Sequence, residues 1–417
     1  MATKVLVIGG GGRCHAIVDA LSRSADVEKI YCAPGNAGIS LQAECVPIAV
    51  SDVDGLLGFA LENGIDLTLV GPEASLALGV VDRFREAGLR IFGPTKAAAR
   101  IESSKEYAKD LMSRHGVPTA AYRAFDNFDD ALEYVKAGPI PVVIKYDGLA
   151  AGKGVVVAFT LKEAEDALRD MLLDEAFGKG RVVVEEFLDG PEFSFMCLVN
   201  GRKLYPLGIA RDHKRAYDHD AGPNTGGMGA YSPVPFVTDE IRATALETIL
   251  QPVADAMADE GVPFTGVLYG GLILHRGQPK VIEFNARFGD PETEVVLPRL
   301  KSDFCRLIEA AVDGRDFETE WSDDTVLGVV MAAKGYPGKY EKGYLVEGLD
   351  NATGKVYHMG TVCKDGRILT SGGRVLMVLG NGKDLAEARE AAYDSVGKID
   401  CDGLFFRSDI GLAECAK

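Results

Sequence analysis

Over the first hundred residues, short apolar runs alternate with stretches in which apolar residues recur at helical spacing. Lys4–Ile8 is such a run, residues 9–12 are four glycines, and His15–Leu21 follows with the period of a helix. Strands are also predicted at Lys29–Cys32, Leu67–Val70 and Arg90–Phe92, with helical patterns between them. This alternation predicts a parallel sheet flanked by helices. Ligands of such sheets bind beyond the carboxyl ends of the strands, which here are residues 9–13, 34–38 and 71–73.

The pattern then changes. Residues 120–190 hold strands at Val142–Lys145, Val155–Ala158 and Val182–Phe187, a glycine-rich loop, and a helix from Leu161. Thr160 with Glu163 forms a capping box that sets that helix start. Strands return at Phe193–Val199, Gly266–Leu274 and Lys280–Asn285. Residues 325–417 are expected to add a small α+β domain, with strands near 326–333, 355–363 and 373–379 and a helix from about Leu385. The expected domains are 1–102, 103–324 (including a subdomain over 120–190) and 325–417.

Composition mostly excludes. The chain has 417 residues, 47% of them hydrophobic, which is ample for several cores. Apolar runs such as Val142–Ile144 and Val326–Ala333 fall far short of the ~20 residues of a membrane helix. Met-Ala-Thr-Lys leads directly into a strand, so no secretory leader is expected. The eight cysteines are scattered without a CxxC pair, which points to a reducing cytoplasm. A net charge of −17 argues against nucleic-acid binding, which needs Lys and Arg to replace phosphate counterions.

Four segments carry chemistry. The turn at Gly9–Gly12 does not fit a dinucleotide fingerprint: the third glycine position falls on Cys14 or His15, and no carboxylate ends the second strand. Its amides and helix N-terminus suit a single phosphate, gripped by Arg13; a ligand-free strand–helix turn accounts for the glycines equally well. Residues 147–154 (Asp-Gly-Leu-Ala-Ala-Gly-Lys-Gly) follow Lys145 and lead into a strand, unlike a Walker loop. Their small residues let amides close over phosphates, while Lys145 and Lys153 supply charge. Residues 182–192 read as strand, apolar hinge and turn, able to meet adenine's edge, with Glu192 placed to hold ribose hydroxyls. In Lys280–Glu292, Glu283 and Asn285 share a strand face and offer hard oxygen ligands for Mg²⁺; Arg287 would stabilise a transferring phosphoryl group. Arg211–Arg215 and the glycine-rich residues 222–229 add donors, a carboxylate and backbone amides.

The order of Lys105, Lys145, the 147–154 loop, Glu185–Leu188, Glu192 and Glu283-x-Asn285 resembles the ATP-grasp superfamily. Within it the chain resembles the phosphoribosylamine–glycine ligase family over nearly its full length. The resemblance is carried by Val7–Arg13, Ala33–Gly38, Val70–Glu73, Phe92–Thr95, Asp212–Arg215, residues 222–233 and Arg287–Glu292. It implies an α/β protein with a Rossmann-like N-terminal domain, an ATP-grasp core of two α+β subdomains and a small C-terminal domain. The implied reaction phosphorylates glycine with ATP, and the amine of 5-phosphoribosylamine then attacks the acyl phosphate. It further implies ATP contacts at Lys105, Lys145, Gly152, Lys153, Gly154, Glu185, Phe187, Leu188 and Glu192, and Mg²⁺ (or Mn²⁺) at Glu283 and Asn285. Arg287, Asp212 and Lys214 would be catalytic. Gly11, Gly12, Arg13, Gly35, Asn36, His213, Thr225, Gly226, Gly227, Gly289 and Asp290 would face the substrates. Cys14 stands where the family has Glu, and Gly266–Leu274 lacks the carboxylate of many relatives. The expected protein is a cytoplasmic monomer with no nucleic-acid or membrane partner, in transient contact with the enzyme supplying phosphoribosylamine. The alternatives are another ATP-grasp carboxylate–amine ligase or carboxylase, or a non-catalytic nucleotide-binding regulator.

Overall fold

A computed structural model describes residues 3–148 and 154–415. Strands β1 (Thr3–Gly9), β2 (Val27–Pro34), β3 (Glu44–Cys45), β4 (Leu67–Val70) and β5 (Ile91–Phe92) form a parallel sheet in the order β3-β2-β1-β4-β5. The central strand β1 is buried at nearly every position, as expected for a parallel strand covered on both faces. Beyond it the chain turns at once into the helix Gly12–Ser22. A Cβ at Gly10 would stand 2.5 Å from the Gly35 carbonyl, so the close approach of the β1 and β2 ends requires glycine there.

The next unit is an antiparallel sheet of β6 (Tyr122–Phe125), β7 (Val142–Tyr146), β8 (Val155–Ala158) and β9 (Val182–Glu186), in the order β6-β9-β7-β8. It has its own apolar cluster, including Phe125, Ile144, Leu168 and Val184. The predicted capping box forms: Thr160 accepts from the Glu163 amide while Glu163 accepts from the Thr160 amide. This subdomain, termed the lid, lines one side of a large cleft.

The remaining strands are β10 (Glu192–Asn200), β11 (Lys203–Asp212), the hairpin β12 (Arg215–Tyr217) and β13 (Ala221–Asn224), β14 (Gly229–Ser232), β15 (Thr265–His275) and β16 (Gln278–Asn285). They are followed by β17 (Thr325–Ala333), β18 (Val356–His358), β19 (Thr361–Lys364), β20 (Arg367–Thr370), β21 (Arg374–Gly382) and β22 (Leu404–Phe405). One nine-stranded sheet runs β16-β15-β10-β11-β14-β17-β21-β18, with β22 on β17. Strands β17, β18, β21 and β22 therefore extend the core sheet, because β14 pairs with both β11 and β17, while β19 and β20 form a separate two-stranded sheet. Strand β11 escaped the sequence pattern because Pro206 and Gly208 interrupt its alternation; a register shift against β10 absorbs them. The single strand expected over 355–363 is broken after His358. Gly360 lies against the Arg374 carbonyl and accepts from the amides of Ser371 (2.8 Å) and Gly372 (3.1 Å).

The N-terminal helix is clasped to the C-terminal residues. Asp19 accepts two 2.6 Å hydrogen bonds from Lys355 and one of 3.1 Å from Tyr357, while His15 Nδ1 accepts from the His358 amide at 2.8 Å. Burial alone would raise the Asp19 carboxyl, but Lys355 outweighs it and holds it below the usual carboxylate range. A lowered acid contributes stability above its unfolded value and loses it as pH falls through its folded one. Lys355→Met is therefore expected to cost about 1–2 kcal/mol at pH 7, with the deficit shrinking below pH ~4 as Asp19 protonates. Urea unfolding of both proteins at pH 7 and pH 3.5 checks this; an equal deficit at both would contradict it.

Candidate active site

A cleft of about 1010 Å³ opens where the lid, the N-terminal sheet, the core sheet and the chain's last turns meet. Its apolar lining includes Val143, Val155 and Val157 of the lid together with Leu188, Ile273 and Val281. A flat ring fits between such walls. Phe187 and Leu188 continue the hinge from β9, and Glu192, half exposed, opens β10 beside them. Gly154 lines the lid side of the cleft, whereas Gly152 and Lys153 lie outside the described residues.

Three lysines gather next to this slot. Lys105, the first residue of the helix Lys105–Arg114, donates to the Gly148 carbonyl at 3.0 Å. Asp147 in turn accepts from the backbone amides of Lys105 (2.5 Å) and Glu106 (3.2 Å), capping that helix from the base of the lid loop. Lys145 on β7 reaches the Ile282 carbonyl at 2.8 Å. That carbonyl is free because the β15–β16 pairing shifts register between Gly271 and Leu272. The side chain of Glu185 lines the cleft beside these lysines. Its carboxylate is buried between Lys145 (3.0 Å) and Lys109 (2.8 Å).

Glu283 and Asn285 share one face of β16 and line the cleft, as the strand period requires. Arg287 lies beyond the strand end, yet its Nη2 donates to Asn285 Oδ1 at 3.1 Å. Its guanidinium also meets Glu102 (3.3 Å) and Glu73 (3.4 Å). Burial raises the Glu102 carboxyl against the pull of Arg287. Glu73 is held low: burial opposes this, but Arg13 and Arg287 outweigh it.

The N-terminal turn brings Arg13 into the cleft, where it bonds the carbonyls of Gly71 (3.2 Å) and Phe288 (3.0 Å) and pairs with Asp290 (3.3 Å). Asp290 also holds Arg374 at 2.9 Å, so its carboxylate, which lines the cleft, orients two arginines. Gly11, Gly12, Gly35, Asn36, Gly227 and Gly289 do not line the cleft. Asn36 is spent on structure: Oδ1 accepts from the amides of Gly38 and Ile39, and Nδ2 donates to the carbonyls of Gly10 and His358. Cys14 points away as well. Its Sγ is buried between Gly9 and Gly71, where a Cβ on either glycine would collide with it. Burial pushes its thiol up to about 12, so the departure at this position sits in packing behind the turn.

Asp212 ends β11, and Lys214 lies between it and the hairpin over the cleft. Lys214 pairs with Glu192 at 2.6 Å and Asp212 at 3.6 Å. Burial lifts the Asp212 carboxyl to about 7; Lys214 opposes the rise, and Glu292 and Glu192 add to it. His213 also lines the cleft, and burial, with Arg407 and Arg211 adding, lowers it to about 4, so its imidazole is neutral. In the glycine-rich segment after it, the amides of residues 225–228 are already engaged. The Thr225, Gly226, Gly227 and Met228 amides donate to Lys214 O, the Tyr336 hydroxyl, Thr225 Oγ1 and His213 O. Thr225 and Gly226 still line the wall.

Sequence reasoning missed Lys109, Glu102, Arg374 and Tyr269. Lys109 had a signal: it sits on the apolar face of its helix with Ala108, Leu111 and Met112, where a lysine is out of place unless paired. Tyr269, whose hydroxyl donates to Glu292 at 2.6 Å, and Arg374 on β21 reach the cleft only through strand order.

Three family models match consecutive stretches of the chain: the N domain of phosphoribosylglycinamide synthetase over residues 3–102, its ATP-grasp (A) domain over 103–293 and its C domain over 326–413. The phosphoribosylamine–glycine ligase of Halalkalibacterium halodurans is 54% identical, covering 99% of this chain and 98% of that protein. That of Escherichia coli is 52% identical, covering 98% of each. Among solved structures, phosphoribosylamine–glycine ligase from Thermotoga maritima aligns with a TM-score of 0.88 at 35% identity, over 98% of this chain and 100% of that one. Biotin carboxylase from Campylobacter jejuni shares the fold alone, with a TM-score of 0.73 at 14% identity over 100% of this chain and 95% of that one. The chain belongs to the phosphoribosylamine–glycine ligase family of ATP-grasp proteins.

Proposed function

We propose that the protein joins glycine to 5-phosphoribosylamine with ATP, giving glycinamide ribonucleotide, ADP and phosphate. The observation that carries this reading is the continuity of one cleft. It runs from an apolar slot past three lysines, Glu283 and Asn285 to Arg287 and Arg13. A nucleotide, a carboxylate and an amine therefore fit end to end.

In this reading adenine lies between the lid valines and Leu188, Glu192 holds the ribose, and Lys105 and Lys145 meet the phosphates. Glu283 and Asn285 suit Mg²⁺ or Mn²⁺ by donor type, both being hard oxygen ligands. Among the described residues no group of three or more His, Cys, Asp or Glu is disposed to hold a metal alone. Nucleotide phosphates and water would complete its shell, and the ion would offset phosphate charge. Arg287, held by Glu102 and Glu73, stabilises charge on the phosphoryl group as the glycine carboxylate attacks it. Asp212, partly ionised near neutral pH, pairs with the glycine ammonium and Lys214 with its carboxylate. Arg13 and Arg374 face the phosphate of phosphoribosylamine, whose amine attacks the acyl carbon and expels phosphate. No helix among the described residues is long and apolar enough to cross a membrane, and all eight cysteines are free, which supports a cytoplasmic setting.

ADP release is expected to require glycine and phosphoribosylamine together; turnover that ignores either one would remove the assignment. Glu283→Gln is expected to lower kcat by about a hundredfold or more at saturating Mg²⁺, with circular dichroism unchanged; wild-type kinetics would take Glu283 out of the metal site. Below pH 7 the Asp212 carboxyl is protonated and cannot hold an ammonium, so KM for glycine is expected to fall as pH rises through about 7. Asp212→Asn should raise that KM and abolish its pH dependence; a retained limb would assign the titration elsewhere.

A further inference from the structure

The three cleft lysines differ in their partners. Lys105 bonds a carbonyl, whereas Lys109 and Lys145 share the single carboxylate of Glu185. The Lys109 and Glu185 side chains are only 3% and 4% exposed, so neither finds solvent screening. Lys109 also donates to Thr119 Oγ1 at 2.7 Å, and Thr119 donates to the Val281 carbonyl at 2.8 Å. Lys145 reaches the next carbonyl, that of Ile282, at 2.8 Å. The chain Val281–Thr119–Lys109–Glu185–Lys145–Ile282 therefore closes a ring between the lid and the strand bearing Glu283 and Asn285.

We propose that Lys109 is a positioning residue for nucleotide binding: it neutralises Glu185, so that the Lys145 ammonium is left over for nucleotide phosphate, and it fixes the lid against β16. The proposal rests on reading the cleft as the ATP site. Two ammonium groups on one carboxylate leave a surplus positive charge, and Lys145 on β7 presents it to the cleft. Without Lys109, Lys145 becomes the sole counter-ion of a buried carboxylate and has no charge to spare. Lys109 itself does not touch the phosphates in this scheme.

The groups facing Lys109 are Glu185 on β9, Lys145 on β7, the Tyr122 ring on β6 at 5.9 Å and Thr119. Burial lowers Lys109 to about 8, with Glu185 opposing and Lys145 reinforcing the shift. In the free protein the surplus charge is then lost as pH rises past 8, which gives the role a signature that simple packing lacks.

The test measures MgADP affinity by calorimetry on the full chain, alongside KM for ATP and for glycine. Lys109→Met is expected to weaken MgADP binding and raise KM for ATP by about tenfold or more, with KM for glycine unmoved. Adding Glu185→Gln to that variant removes the uncompensated carboxylate and should restore most of the affinity. Lys109→Arg keeps its charge at all working pH values, so it should bind as wild type at pH 7 and escape the weakening of wild type between pH 7 and 9. Unchanged MgADP affinity in Lys109→Met would overturn the proposal. So would a loss that Glu185→Gln does not reverse, or an alkaline limb that survives in Lys109→Arg. Wild-type protein that binds MgADP but ligates no glycine would contradict the ligase assignment alone, since binding is read without either acceptor.

Discussion

Most cations in the cleft are held by carboxylates, Lys105 on the Gly148 carbonyl being an exception, and that pairing is the constraint on which the site depends. Lys145 and Lys109 meet at Glu185, Lys214 lies between Glu192 and Asp212, Arg287 between Glu102 and Glu73, and Arg13 and Arg374 meet at Asp290. Cations gathered for phosphate would repel one another and lose hydration in a partly closed cleft. Pairing keeps them charged and aimed before the anions arrive, which is the preorganisation that phosphoryl transfer needs. It also explains how a chain of net charge −17 builds a phosphate site: the positive charge is local and fixed.

The pairs bind distant segments to one another. Glu185 belongs to the lid and Lys109 to the helix before it, Glu102 precedes that helix while Arg287 follows β16, and Asp290 joins the N-terminal turn to β21. The lid keeps a separate apolar cluster, and a smaller one of Ala120, Leu188 and Ile273 lies at its junction with the core. Much of the lid's registration on the core therefore rests on polar contacts of defined direction, Lys145 to Ile282 and Asp147 to the Lys105 amide among them.

Much of this was legible in the chain itself. The parallel sheet followed from alternating periods, and the capping box at Thr160 formed as its two residues implied. Glu283 and Asn285 share a face because a strand has a period of two. Other features were hidden because tertiary pairing decides them. The glycine-rich residues 222–229 read as a source of free amides, yet the fold spends those of residues 225–228 on its own carbonyl and hydroxyl groups. Asn36 was expected to face a substrate, and its amide is engaged within the fold, Nδ2 by the Gly10 and His358 carbonyls and Oδ1 by the Gly38 and Ile39 amides. Arg374 enters the cleft only because β21 joins the core sheet, an order that local pattern does not encode.

The central claim is that the glycine carboxylate attacks the terminal phosphorus of ATP and that one of its oxygens then leaves in the phosphate expelled by the amine. Glycine labelled with oxygen-18 in its carboxylate tests it directly, by mass analysis of the phosphate released during turnover with ATP and phosphoribosylamine. The account predicts one labelled oxygen in each phosphate formed. Unlabelled phosphate formed alongside the amide product, with the departing label recovered in water, would contradict it.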